Sequence, residues 1–262
     1  MLSEGGQFAS GIILMAVLGL SIGNFATTFI YRLPRGLKIT KSPPYCECER
    51  RVKLEVRDNF PFFSWLMARG KCRWCDIRIP ALYAMVELSC AVLFVTGLWR
   101  FGLGDALILI LALGVLLIVQ CAIYYTEHRL LPIVVVMAAA CGAMYRILLD
   151  GTLFGFMHGA ILGLAGGVTI WQARRVFAPQ KKTLPDDALL LCIAGGCVGK
   201  GGLFPLFALS FALWLAMRLP ARRNKNLAAS AACLSISLAA LVLLYNPALF
   251  TQVMQLAGLT RP

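Results

Sequence analysis

Acidic side chains are scarce in this 262-residue chain: 12 Asp and Glu stand against 25 Lys and Arg, and charged residues make up only 14% of the total. With 60% of its residues hydrophobic and a mean hydropathy of +0.78, the chain has too little polar surface for a soluble domain. It also lacks an internal repeat and a low-complexity linker. No basic segment precedes the first apolar stretch, which at about 24 residues is longer than a signal-peptide core. That stretch is therefore expected to remain as a membrane helix.

Apolar stretches close to the length of a bilayer-crossing helix recur along the chain. Eight are expected, over residues 8–31, 80–99, 104–125, 130–148, 153–173, 187–199, 202–218 and 227–245. The sixth is the weakest. Its apolar run, Ala188 to Val198, is short and interrupted by glycine, and Lys200 follows it. A tilted or broken helix is expected there. The fold expected is all-α: a polytopic membrane protein of about eight transmembrane helices with a small cytoplasmic, cysteine-clipped module. The divisions are a first helix (1–31), a basic cysteine module (32–79) and a helical membrane domain (80–262).

A net charge of +13 raises the question of nucleic acid, but the distribution argues against it. With the N-terminus outside, one membrane face receives 21 of the 25 basic residues, twelve of them in 32–79 beside only five acids. Positive loops stay cytoplasmic. The cysteine loop is thus expected in the cytoplasm and both termini outside. The basic excess reads first as a topology signal and second as a means of holding anionic headgroups. No nucleic-acid partner is expected.

Ten cysteines are present. Cys90, Cys121, Cys141, Cys192, Cys197 and Cys233 lie in apolar spans, where Cys is usually a small packing residue. The other four form two close pairs, Cys46/Cys48 and Cys72/Cys75. Cys72-Arg-Trp-Cys75 has the spacing that lets two thiolates share a tetrahedral metal, whereas Cys46-Glu-Cys48 is one residue tighter. Three readings stay open: a structural zinc on all four thiolates, a disulfide or redox-sensitive clip, or no bond at all. A reducing compartment favours the metal over the disulfide. Four thiolates leave no open position for metal catalysis.

The runs Gly23-Asn24-Phe25-Ala26-Thr27-Thr28-Phe29-Ile30-Tyr31-Arg32-Leu33-Pro34, Asn59-Phe60-Pro61-Phe62-Phe63-Ser64-Trp65-Leu66, Arg69-Gly70-Lys71-Cys72-Arg73-Trp74-Cys75 and Tyr83 through Val86-Glu87-Leu88 resemble, in order and spacing, the N-terminal module of the type IV prepilin peptidases. The first cysteine pair departs from that family's usual CxxC. The resemblance implies an eight-helix aspartic endopeptidase of the bacterial inner membrane. It would cut the leader from prepilins and pseudopilins, with N-methylation of the new terminus by S-adenosylmethionine in many members. Implied partners are prepilin or pseudopilin helices and subunits of pilus or type II secretion assembly.

Proteolysis by two carboxylates needs one ionised to activate water and one protonated to hydrogen-bond the scissile carbonyl. In the family, the first Asp stands seven residues before the Pro of a Leu-Pro-Asp. Here Tyr125 stands seven residues before Pro132, and Ile133 follows that Pro. The second motif aligns as Leu184-Pro185-Asp186-Asp187, keeping Asp187 without the family's glycines. The expected catalytic pair is Asp187 with Glu127 as substitute acid, although two residues along a helix from Tyr125 is a turn of about 200°. Asp186 is a further candidate. Gly102-Leu103-Gly104-Asp105 spells the family tetrapeptide, but it lies on the outer face and reads as a turn that starts a helix.

Glu87, with Tyr83 one turn earlier, is an acid inside a span and therefore a functional candidate. It is expected either to bind substrate or methyl donor, or to hydrogen-bond Tyr83 or another helix. No glycine-rich nucleotide loop backs the methyl donor. Tyr125 is expected to contact substrate. His158 and Gln172 read as helix-packing polar groups. Two functions follow: a prepilin-processing enzyme, or a degenerate member that binds pilin-like helices or assembly subunits without cutting. Methyl transfer without cleavage is a third.

Overall fold

Each of the eight apolar stretches is helical in the computed structural model, which describes residues 4–38, 61–67, 69–72, 78–177, 186–221 and 225–245. In chain order the helices are α1 (Glu4–Arg32), α2 (Pro61–Met67), α3 (Ala81–Phe101), α4 (Asp105–Glu127), α5 (Pro132–Asp150), α6 (Phe154–Phe177), α7 (Asp186–Val198), α8 (Leu203–Ala221) and α9 (Lys225–Tyr245). Among the described residues the only strand-like pairing is an isolated antiparallel bridge between Lys71 and Arg78. Among the described residues five helices, α1, α3, α4, α5 and α6, are long and apolar enough to cross a membrane. Their outward faces carry exposed large apolar side chains such as Ile13, Val92, Ile108, Val136 and Ile161, the surface that lipid covers. The chain is a multi-pass membrane protein.

Two compact units divide the chain, residues 1–103 and 104–262. In the first, α1 lies along α3. Lipid supplies no hydrophobic drive between helices, so close packing of small residues has to hold them together. Gly19 and Gly23, one turn apart on α1, meet the α3 backbone. A Cβ on Gly19 would come within 2.7 Å of Ala91 Cα, and one on Gly23 within 2.6 Å of Glu87 Cα. Ala26 and Ile30 continue that buried stripe. Most of the module expected at 32–79 lies outside the described residues, apart from residues 33–38 at its start, α2, and the turn that follows α2.

In the second unit, α6 and α7 close on each other in the same way. Gly159, Gly163 and Gly167 of α6 face Gly195, Leu191 and Ala188 of α7, backbone against backbone. This explains why glycine does not break the sixth span: Gly195 and Gly196 sit against Gly159 and Phe156, where a side chain would not fit. The helix is short rather than broken. Its 13 residues are about 20 Å long, against a hydrocarbon core of about 30 Å. A single 3₁₀ turn, Lys200–Gly202, then leads into α8. Pro132 opens α5 in its first turn, where its missing N–H leaves no helical bond unmade.

Candidate functional site

The first unit buries an acid. Glu87, on the second turn of α3, is 1% exposed. The Phe62 N–H at the start of α2 donates to its Oε2 at 2.7 Å. The other oxygen, Oε1, is buried without a hydrogen-bond partner. The recorded partner is thus the backbone of a short helix far along the sequence, a contact that no pattern of side-chain types predicts. An acceptor left open in a closed site suits a cationic or N–H-bearing ligand.

The turn after α2 is built around Gly70. Its φ of +74 is a left-handed conformation, which glycine adopts without penalty. Trp65 packs on it and donates its indole N–H to Ile79 O at 3.1 Å. Gly70 O accepts from Ile79 N–H at 2.9 Å, and Lys71 bridges Arg78. Chain leaving at residue 72 therefore returns at 78, and Cys72 is buried at the mouth of this loop. Cys46, Cys48 and Cys75 lie outside the described residues. Among the described residues no group of three or more His, Cys, Asp or Glu side chains is placed to hold a metal.

In the second unit, Cys121 and Tyr124 of α4 enter an apolar cluster with Leu190, Leu191 and Ala194 of α7 and Cys233 and Ile236 of α9. Leu190 follows Asp186 by one turn. The cluster thus includes residues near the C-terminal end of α4 and near the N-terminal end of α7. Asp186 and Asp187 are the first two residues of α7, where the helix dipole favours negative charge. The helix α4 continues through Glu127 and stops at His128, whose φ is 53. Both Tyr125 and Glu127 are half-buried. With the helix intact, Tyr125 lies about 40° from the direction of Cys121 and Glu127 about 120° from it. The tyrosine, rather than the acid, is turned toward α7 and α9.

The family model for the bacterial peptidase A24 N-terminal domain matches residues 17–101. A prepilin leader peptidase/N-methyltransferase of Pseudomonas putida is 30% identical over 245 residues, covering 72% of this chain and 80% of the relative. The protein of the same name from Xanthomonas campestris pv. campestris is 27% identical over 226 residues, covering 76% and 78%. The one from Neisseria gonorrhoeae is 30% identical over 189 residues, covering 60% and 63%. The chain belongs to the prepilin leader peptidase/N-methyltransferase family. No solved structure matches it.

Within a prepilin peptidase frame, the Gly102–Asp105 tetrapeptide is what the sequence suggests, a turn leading into a helix. Asp105 is exposed at the start of α4, about 30 Å along that helix from Tyr125, too far to join a dyad there. His158 is an exposed helix residue whose Nδ1 lies 2.8 Å from Phe154 O.

Two buried features of α4 escaped the sequence reading. Gln120 is 2% exposed. Its Oε1 accepts from Leu131 N–H at 3.4 Å, tying α4 to the turn before α5, and its Nε2 is buried without a partner. A single amide inside an otherwise apolar run was the available signal. Cys121 and Cys233 bring their sulfurs to 3.9 Å across α4 and α9. Their separation of 112 positions in the sequence hides that proximity from any spacing rule.

Proposed function

We propose that this protein processes prepilins at the end of unit two where α4 stops and α7 begins. The observation that supports this reading is the apolar cluster that contains Cys121 and Tyr124 of α4 and Leu190 and Leu191 of α7, each within about one turn of a motif position. Asp187 is the carboxylate that activates water. Tyr125 donates its phenol O–H to the scissile carbonyl oxygen, a task a protonated carboxyl performs in a two-acid site and a tyrosine hydroxyl performs elsewhere. Glu127, rotated away on an unbroken helix, is the less suited second group. Residues 32–79 lie in the cytoplasm, the N-terminus lies outside, and the bilayer is the bacterial inner membrane.

The test is cleavage of a prepilin by the purified protein in detergent. Asp187→Asn abolishes the shortened product, Tyr125→Phe slows it by roughly 10²-fold, and Glu127→Gln leaves it within about twofold. Undiminished cleavage by Asp187→Asn overturns the reading. A second reading, binding pilin-like helices or assembly subunits without cutting, is favoured by the neutral side chain at position 125. Under it the wild type is silent and only Tyr125→Asp cuts.

The relatives are also named N-methyltransferases, and S-adenosylmethionine supplies the methyl group in such chemistry. The partnerless Oε1 of Glu87 fits a cationic amine or sulfonium, and Glu87 is the residue that would orient it. Zinc fits the cysteine donor set: Cys72 is buried at the mouth of the 72–78 loop, and Cys46, Cys48 and Cys75 would complete four thiolates around a structural ion. Zinc content per chain, lost in Cys72→Ser, measures this.

A further inference from the structure

Among the described residues the corner after α2 is cationic without a counter-charge. Arg69, Lys71 and Arg78 are all exposed, and none of them makes an ion pair among the described residues. Lys71 and Arg78 stand directly opposite each other in the antiparallel bridge. The neighbouring bond from Ile79 N–H to Gly70 O makes theirs the close, non-hydrogen-bonded kind of pair. Their side chains leave one face with Cβ atoms about 5 Å apart, an arrangement that like charges disfavour. An anion between them reverses that penalty.

Beside these cations α2 ends in two uncovered apolar side chains, Leu66 at 60% exposure and Met67 at 78%. Depth says what covers them. Phe62 is tied to Glu87, which lies about 9 Å along α3 from its first residue. The short helix is thus held level with the first turns of a membrane-crossing helix, at the boundary of hydrocarbon and headgroups. An apolar tip flanked by cations at that depth matches an acidic lipid, with acyl chain on one side and phosphate on the other.

We propose that Leu66, Met67, Arg69, Lys71 and Arg78 form a docking site for an anionic phospholipid, its phosphate between Lys71 and Arg78 and its acyl chains against Leu66 and Met67. The site belongs to unit one alone and stands whether or not the chain cuts prepilins. Binding there pins the loop that carries Cys72 to the membrane surface.

The full chain in phosphatidylcholine nanodiscs, supplemented with phosphatidylglycerol and examined by native mass spectrometry, tests the site. Wild type retains phosphatidylglycerol in preference to phosphatidylcholine. The pair Lys71→Gln/Arg78→Gln lowers that retention roughly 30-fold, at about one unit of headgroup attraction per lost charge, and leaves phosphatidylcholine unchanged. The charge-preserving pair Lys71→Arg/Arg78→Lys keeps it, and Leu66→Ser/Met67→Ser lowers retention of both lipids. Should the double glutamine variant fail to fold, Arg69→Gln alone carries the test with a loss of roughly fivefold. No lipid preference in the wild type overturns the proposal, as does a preference that survives loss of the cations. So does displacement of the lipid by inorganic phosphate or by a polyglutamate peptide as readily as by phosphatidylglycerol.

Discussion

The candidate acid of residues 1–103 lies inside a span, whereas the candidate acids of residues 104–262 stand at helix ends. Glu87 is closed off from solvent and has one oxygen committed to the Phe62 N–H. Glu127 closes α4, while Asp186 and Asp187 open α7. An acid closed off by protein two turns into a span has no water to solvate it, so it needs a protein partner and in return fixes an element in place. An acid at a helix end lies nearer the aqueous boundary. Under the proposed function the first unit would hold its acid for binding and positioning, and the second would present its acids for chemistry.

The sharpest way to break this comparison is to neutralise one acid of each kind. Asp187→Asn is expected to lower prepilin cleavage by at least ~10³-fold, the scale of losing a group that activates the nucleophile, while leaving the unfolding midpoint unchanged. Glu87→Leu is expected to do the opposite. It removes the acceptor of the Phe62 N–H bond and destabilises unit one by about 1–3 kcal/mol, the scale of a hydrogen bond to a carboxylate. Protease accessibility around α2 reads that change. A Glu87→Leu variant with wild-type stability and a loss confined to activity would move Glu87 into the chemical class.

Next in size is the α6–α7 seam. Gly163→Leu forces a side chain onto the Leu191 carbonyl and is expected to cost about 3 kcal/mol by overpacking. Because α7 carries Asp187, cleavage falls with stability. The equivalent change in unit one, Gly23→Leu against the Glu87 backbone, is expected to destabilise by a similar amount.

The longer helices were legible because each is a continuous apolar run, five of them among the described residues long enough to cross a membrane, bounded by polar or Pro/Gly residues. Pro132 and the Gly102–Gly104 turn mark their boundaries within a residue or two. Helix α2 was not legible as a helix: seven residues, Pro61–Met67, are too few to show a period. The site was legible only as positions along the chain. The displacement of Glu127 from the face of Tyr125 follows from helical geometry and depended on where α4 ends, which the sequence left open. The link between Phe62 and Glu87, and the proximity of Cys121 to Cys233, depend on packing between distant segments. Local spacing carries no record of them.

The smallest expected effect is the most discriminating for the second unit. Gln120 makes one long bond, 3.4 Å to Leu131 N–H, and buries Nε2 without a partner. A bond of that length contributes little, whereas an unsatisfied buried donor costs about 1–3 kcal/mol. Leu131 is only half-buried, so water can replace the lost acceptor. Gln120→Leu is therefore expected to stabilise the protein, by about 1 kcal/mol, measured as a rise in the unfolding midpoint. Gln120 lies about 140° around α4 from Tyr125 and about 20° from Glu127, so it does not share the face on which Tyr125 is proposed to act. The same variant is therefore expected to cut prepilin within about twofold of the wild type while its stability rises. A loss of about tenfold, the scale of one hydrogen bond, would instead put the Gln120 and Glu127 face of α4 at the substrate.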